Sequence, residues 1–446
     1  MYIQRRVDKE LVIWKESAKR KPLLLRGARQ VGKSSSVKEL AKQFDFFLEI
    51  NFDRKESQEA RLIFERTSSP KQICKELSVI YEVPIEAGRT LLFLDEIQSS
   101  LPVISSLRYF YEDYPELHVI AAGSLLEFAL QELPSFGVGR IHSLFMYPFS
   151  FDEYLQAIDL KMLAESLQNA SPENPLSEAI HNKCCQQLMQ FIFIGGMPEV
   201  VATYVQGGSL LECQQVLDDL MLTFDDDFAK YKERVPVSRL RDVFAAIIQQ
   251  TGTKFTYSQA SAEANHGQIK EGIELLELAG LVYPVTHTSA NGIPLAAETN
   301  PKFRKYLIFD TGIYQRFLKL DAGQILLGNN LFQVNKGALA ELFVGLEMIK
   351  SAPFNNPEQL FYWQREKQGS LAEVDYVVQQ GTNIVPVEVK SGTKGSMQSM
   401  FRFLSEKNYT YGIRCSMENF GTYQNIRIYP LYATSMITSN KNTTHV

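Results

Sequence analysis

Cysteine is scarce in this chain. Its 446 residues hold five, Cys74, Cys184, Cys185, Cys213 and Cys415, with no C-x-x-C pair and no metal-ligand spacing. That excludes a disulfide framework and a structural zinc site, and it fits a reducing cytoplasm. Long apolar runs are missing as well. None approaches the roughly 18 residues of a membrane-spanning helix, so no membrane partner is expected. The first residues (Arg5, Arg6, Asp8, Lys9, Glu10) are of mixed charge and lack the apolar centre of a signal peptide. No internal repeat or low-complexity tract occurs. A strong charge of one sign is absent too, the net being −5. The distribution is uneven, however. From residue 301 onward 16 Lys and Arg face 11 Asp and Glu, whereas the first 300 residues carry 30 against 40. A polyanion partner for the last third is one reading, and compositional noise is the other, because the surplus is far below that of dedicated DNA binders. Apolar (45%) and charged (22%) fractions are ordinary for a globular protein, and the length suits two to four domains.

What is present begins with Gly27-Ala28-Arg29-Gln30-Val31-Gly32-Lys33-Ser34, a complete G-x-x-x-x-G-K-S. Pro22 to Leu25 before it reads as a short buried strand. Ser34 to Phe44 after it reads as a helix, with Val37, Leu40, Ala41 and Phe44 at helical spacing. Such a loop wraps phosphates with backbone amides at a helix N-terminus. Gly27, Gln30, Val31, Gly32, Lys33, Ser34 and Ser35 are therefore the expected nucleotide contacts. Lys33 would reach the β- and γ-phosphates, and the Ser34 hydroxyl would hold Mg²⁺.

Thr90-Leu91-Leu92-Phe93-Leu94-Asp95-Glu96 is an apolar run that ends in two carboxylates, the form of a Walker B strand. Asp95 is placed to hold Mg²⁺, and Glu96 to polarise an attacking water. A carboxylate directly after the Mg²⁺ residue favours hydrolysis of ATP over phosphoryl transfer to a metabolite. Leu117 to Ser124 is a further short strand, and Ser124 reads either as a sensor of the γ-phosphate or as a helix N-cap paired with Glu127. Phe136-Gly137-Val138-Gly139-Arg140 presents Arg140 either as an arginine finger, in its own chain or a neighbouring copy, or as an ordinary surface arginine.

These segments, with Gly139 to Leu155, resemble the AAA-type ATPases of bacteria and archaea. More narrowly they are similar to prokaryotic ATP-binding proteins of the archaeal ATPase group that carry a C-terminal domain of unknown function. The resemblance is strongest over residues 20–155. It implies an α/β fold class: an N-terminal P-loop αβα core, a helical and winged-helix middle and a C-terminal nuclease-like fold. Ser34 stands where many relatives carry Thr, which keeps the hydroxyl.

The expected divisions are 1–170, 178–300 and 301–446, with the polar stretch Gln168 to Ser177 as a linker. Helices follow from Ile180 to Phe193 and, after the Gly195-Gly196-Met197-Pro198 break, through about Lys232. Asp225-Asp226-Asp227 reads as a solvated helix end. Three helices (Arg239 to Thr251, Ser258 to Ala264, Gln268 to Ala279) and a strand from Leu281 to Val285 suggest a winged helix. Its third helix exposes Gln268, Lys270, Glu271 and Glu274, which suits protein packing better than DNA readout.

The last third holds an amphipathic helix from Lys336 to Ile349 with Glu341, then strands at Leu360 to Trp363, Glu373 to Val378 and Val385 to Lys390, then a helix near Gly395 to Glu406. An Asp on one strand and E-x-K on the next is the pattern of PD-(D/E)xK nucleases. Asp375 and Glu388 would share one Mg²⁺, with Glu341 completing the site as in resolvase-like enzymes that the region resembles. Lys390 would activate the water. The expectation is a cytoplasmic, Mg²⁺-dependent ATPase, a homo-oligomer if Arg140 serves a second copy, with a C-terminal domain that either cleaves nucleic acid or binds DNA or protein without cleaving.

Overall fold

The computed structural model describes residues 1–124, 126–132, 139–229, 235–320, 336–365, 372–393 and 395–438. Phe136 to Val138 of the arginine turn, and the end of the helical stretch near Lys232, lie outside them. The chain divides into two units. The first comprises Met1–Tyr147 with the short pieces Leu278–Gly280 and Pro353–Pro357, and the second holds the remainder.

In the first unit a five-stranded sheet runs β2-β3-β4-β1-β5, and its four neighbour pairs are all parallel. The strands are β1 (Leu23–Arg26), β2 (Phe46–Asn51), β3 (Thr90–Asp95), β4 (His118–Ala122) and β5 (His142–Phe145). Both faces of the inner strands are covered, so they read as continuous apolar runs rather than as alternation. Leu91, Leu92, Phe93 and Leu94 are all fully buried, each contributing roughly 1.5–3 kcal/mol of transfer free energy. Helix α1 (Lys33–Ala41) starts directly after Gly32, whose φ of 96° no residue with a side chain adopts easily. Its Val37, Leu40 and Ala41 are buried. Helix α2 (Leu101–Asp113) packs Val103, Leu107 and Phe110 into the core with Leu92 and Leu94. Helix α3 (Leu126–Glu132) follows β4. Because β4 lies between β1 and β3, the carboxyl ends of three adjacent strands carry the P-loop, Ser124 and the Asp95-Glu96 pair. That is where open α/β sheets bind ligands.

The second unit centres on an eight-stranded mixed sheet, β12-β13-β11-β10-β9-β8-β6-β7. Its strands are β6 (Val282–Thr288), β7 (Thr299–Ile308), β8 (Leu360–Gln364), β9 (Glu373–Gln380), β10 (Asn383–Val389), β11 (Gly412–Ser416), β12 (Gly421–Tyr423) and β13 (Ile426–Pro430). Helices relevant below are α4 (Val237–Gln249), α5 (His266–Leu278), α6 (Lys336–Ser351) and α7 (Gln398–Lys407). The β6–β7 hairpin crosses residue 300. It joins the sheet through parallel pairing of β6 with β8, Val285 facing Leu360. The apolar Leu281 to Val285 run is thus sheet interior rather than an isolated wing. The expected helix over 258–264 is a single 3-10 turn, Tyr257–Gln259. Small polar side chains satisfy the backbone there instead: Ser261 Oγ accepts from the Glu263 amide, and Asn265 and Gln268 exchange bonds of 3.1 and 3.0 Å ahead of α5.

Helix α7 buries Met400, Phe403 and Leu404 against Trp363, Val374, Val377 and Ile384. The Trp363 and Phe403 rings meet edge-on at 5.0 Å. Pro386 is tolerated inside β10 because the β11 ladder begins only at Val387. Between β8 and β9, Phe361 faces Val377 while Trp363 faces Val374, so β9 carries one extra residue in the stretch that holds Asp375 and Tyr376.

Candidate functional site

Two constellations stand at the ends of these strands, one in each unit. In the first, Gly27 (φ 137°) brings the loop so close to the backbone that a Cβ there would lie 2.1 Å from the Met146 carbonyl oxygen. Gln30, exposed, also takes a positive φ of 62°. Val31 is buried and its carbonyl accepts from Arg5 Nη1 at 3.0 Å, while Arg5 Nη2 donates to the Tyr147 carbonyl at 2.8 Å. A buried arginine from the amino terminus therefore braces the loop. Ser35 points to solvent.

Lys33 is 7% exposed, and its ammonium donates to the Gly27 and Ala28 carbonyls at 2.9 and 2.8 Å. Burial pushes its pKa down to about 8, against the pull of Glu96 and Asp95. Ser34 Oγ donates to Asp95 Oδ2 at 3.0 Å, and Asn51 Nδ2, from the end of β2, approaches the same oxygen at 3.4 Å. Burial, then the neighbouring Glu96 charge, raises Asp95 above the usual carboxylate range.

Glu96 sits at φ 51°, a left-handed conformation that costs a non-glycine residue on the order of 1–3 kcal/mol. Its Oε2 accepts from Gln98 Nε2 at 2.6 Å, from Ser124 Oγ at 3.1 Å and from the Ser124 amide at 3.3 Å. None of the three uses Oε1. Gly123 makes this possible, since a Cβ there would meet Gln98 Oε1 at 2.3 Å. Glu127, the alternative partner for Ser124, is instead engaged by Arg26, whose Nε donates to Oε1 at 2.6 Å. Arg140, with its side chain 45% exposed, pairs with Glu112 on α2. A hydroxyl and a carboxylate 3.0 Å apart beside a phosphate-shaped loop suit a hydrated Mg²⁺ bound with nucleotide.

The second constellation is differently arranged. Lys390 Nζ donates to Glu388 Oε1 at 2.6 Å, and Asp375 Oδ2 accepts from the Val389 amide at 2.7 Å. Burial, then the Asp375 charge, holds the Glu388 carboxyl up to about 7. Glu341 is also buried, and its Oε1 accepts from Lys305 Nζ at 2.9 Å. The same ammonium meets Glu373 Oε1 at 2.5 Å and lies 5.1 Å from the centre of the Tyr362 ring. Burial opposes the Lys305 charge, but the carboxylates of Glu341, Glu373 and Asp375 more than offset it and hold the ammonium above the ordinary lysine range. Among the described residues, no group of three or more His, Cys, Asp or Glu side chains is disposed to hold a metal ion. The expected trio of Glu341, Asp375 and Glu388 is not such a group; Glu341 is paired with Lys305 and Glu388 with Lys390.

Lys305, Glu373, Asn51 and Arg5 carry no motif-level signal, and Gln98 ends the Walker B segment with no role of its own legible there. Lys305 stands directly before the apolar Tyr306-Leu307-Ile308 end of its strand, the one local hint of a buried charge.

Residues 19–155 match the AAA domain family, and residues 185–324 and 336–434 match two domains of unknown function, DUF8612 and DUF4143. No curated protein matches the chain. Similar solved structures include the Walker-type ATPase of Pyrococcus abyssi, 18% identical over 72% of this chain and 96% of that one, with a TM-score of 0.45. Others are the Aeropyrum pernix ORC1 protein in complex with DNA (13%, 73% and 93%, TM-score 0.28) and the Thermotoga maritima RuvB Holliday junction branch migration motor (17%, 72% and 95%, TM-score 0.25). The parallel sheet and the family match agree on one point: residues 19–155, which match the AAA domain model, contain the parallel α/β core with its P-loop.

Proposed function

We propose that this chain is a Mg²⁺-dependent ATPase that couples nucleotide turnover in its first unit to a nucleic-acid-facing module in its second. The observation that carries the first half is the joint placement of Lys33, Ser34, Asp95 and Glu96 around one phosphate-shaped loop. Lys33 exchanges its two loop carbonyls for the β- and γ-phosphate oxygens of ATP. Ser34 and Asp95 are the residues to hold Mg²⁺, which supplies charge stabilisation at the phosphates when bound. Glu96 accepts the proton of the attacking water through Oε1, while Gln98 and Ser124 fix the carboxylate through Oε2. Water oxygen bonds to the γ-phosphorus, the bond to the bridging oxygen breaks, and ADP leaves with that electron pair. Arg140, partly exposed, is proposed to reach the γ-phosphate of a second copy of the chain, which makes the working form a homo-oligomer.

The basic surplus after residue 301 supports nucleic acid as the ligand of the second unit. The test of the nucleotide reading is Lys33→Ala. Losing two charge-assisted contacts of about 1.5–3 kcal/mol each should weaken ATP binding at least tenfold, read by titration with a fluorescent ATP analogue. Affinity within twofold of wild type would contradict the assignment.

A further inference from the structure

Lys305 is a fully buried charge in the second unit that neither motif explains. It comes from β7, has no exposed surface, and reaches Glu341 of α6 at 2.9 Å and Glu373 of β9 at 2.5 Å. A lone ammonium in such a place would be strongly unfavourable, and two carboxylates facing each other without a cation would be equally so. Each is the condition for the other. The remaining acidic groups are committed as well. Asp375 gives one oxygen to the Val389 amide, and Glu388 gives one to Lys390. Glu388 Oε2 is buried without a hydrogen-bond partner among the described residues, but two ammonium groups, Lys305 and Lys390, already neutralise this carboxylate set from within.

We infer that the Lys305 ammonium is the resident cation of this carboxylate set, standing in the place that a divalent metal would otherwise take beside Glu341. The sheet of the second unit keeps the Asp, Glu and Lys pattern of a metal-dependent nuclease, and the lysine neutralises it from within. The nucleic-acid-facing module proposed above therefore binds without cleaving and needs no divalent cation at this cluster. The inference rests on the nuclease-like reading of Asp375, Glu388 and Lys390 and is independent of the nucleotide site.

The experiment is Mn²⁺ binding by the full chain without nucleotide, counted by electron paramagnetic resonance of free Mn²⁺, for wild type, Asp375→Asn, Lys305→Gln and the Lys305→Gln/Asp375→Asn double variant. The expected result is that Asp375→Asn leaves the wild-type count unchanged, Lys305→Gln gains one site, and the double variant loses that gain. The inference is overturned by a wild-type count that falls by one on Asp375→Asn, or by a folded Lys305→Gln protein that gains nothing. If Lys305→Gln fails to fold, the wild-type and Asp375→Asn counts decide alone. Metal-dependent cleavage of single- or double-stranded DNA or RNA by wild type, lost in Asp375→Asn, would also overturn it. ATP turnover on the same wild-type preparation reports separately on the nucleotide reading.

Discussion

The two constellations use the same residue types to opposite ends. In each, a lysine and paired carboxylates stand near the ends of sheet strands. In the first unit Lys33 is held only by loop carbonyls, Asp95 by a hydroxyl and an amide, and Glu96 by Gln98 and Ser124. Those partners are neutral, so the charges stay available to a ligand. In the second unit Lys305 is shared between Glu341 and Glu373, and Lys390 is spent on Glu388. Charges that meet each other have little left for a metal or a phosphate. The lesson is that a motif names the side chains, whereas function depends on what already occupies them.

The largest test of that contrast is Lys305→Met. Removing one partner of a buried ion pair leaves uncompensated charge and should cost about 3–5 kcal/mol in urea denaturation. Adding Glu341→Gln to the same chain should recover part of the loss, because the two residues act as a unit. A cost below about 1 kcal/mol for the single change would show that the cluster is not organised by this lysine.

Next comes pH. Burial lowers Lys33 to about 8 in the free protein, and bound phosphates favour its charged form. The charged form dominates below that value, so ATP affinity should be level there and fall up to tenfold per unit as pH rises above it. Isothermal titration in buffers of different ionisation enthalpy should show proton uptake on binding above that pH and none well below it. Uptake that is the same at all pH values would remove Lys33 as its source.

A smaller effect is expected from Gln98→Ala, which deletes one of the donors to Glu96. Turnover should fall roughly tenfold, corresponding to about 1–1.5 kcal/mol, while the Kd for ATP stays within twofold. A change in Kd with kcat unaltered would make Gln98 a nucleotide contact rather than a positioning residue.

Legibility in the sequence followed distance along the chain. The P-loop is contiguous from Gly27 to Ser34, and its flanking strand and helix can be read from local apolar spacing. The fully buried runs of β3 and β4 were legible for the same reason, since a strand covered on both faces has an unmistakable composition. The clamp on Glu96 was half legible. Ser124 stood out as a polar residue ending a strand, but Gln98 became meaningful only once the left-handed turn at Glu96 folded it back. The partnership of Lys305 with Glu341 spans 36 residues, and no local pattern announces it. The extra residue in β9 beside Asp375 was hidden as well, because strict period-two counting assumes an unbroken strand. The strand from Leu281 to Val285 reads locally as a wing because its pairing with β8 joins segments some 75 residues apart in sequence, Val285 with Leu360.

The claim at the centre of this account is that the first constellation is a working hydrolytic site with Glu96 as its base. Glu96→Gln tests it most directly, measured as phosphate release and ATP affinity on one preparation. The account predicts turnover reduced by about 10²–10⁴-fold with ATP affinity retained, because only the proton acceptor is removed. Turnover within threefold of wild type would place the base elsewhere and contradict it.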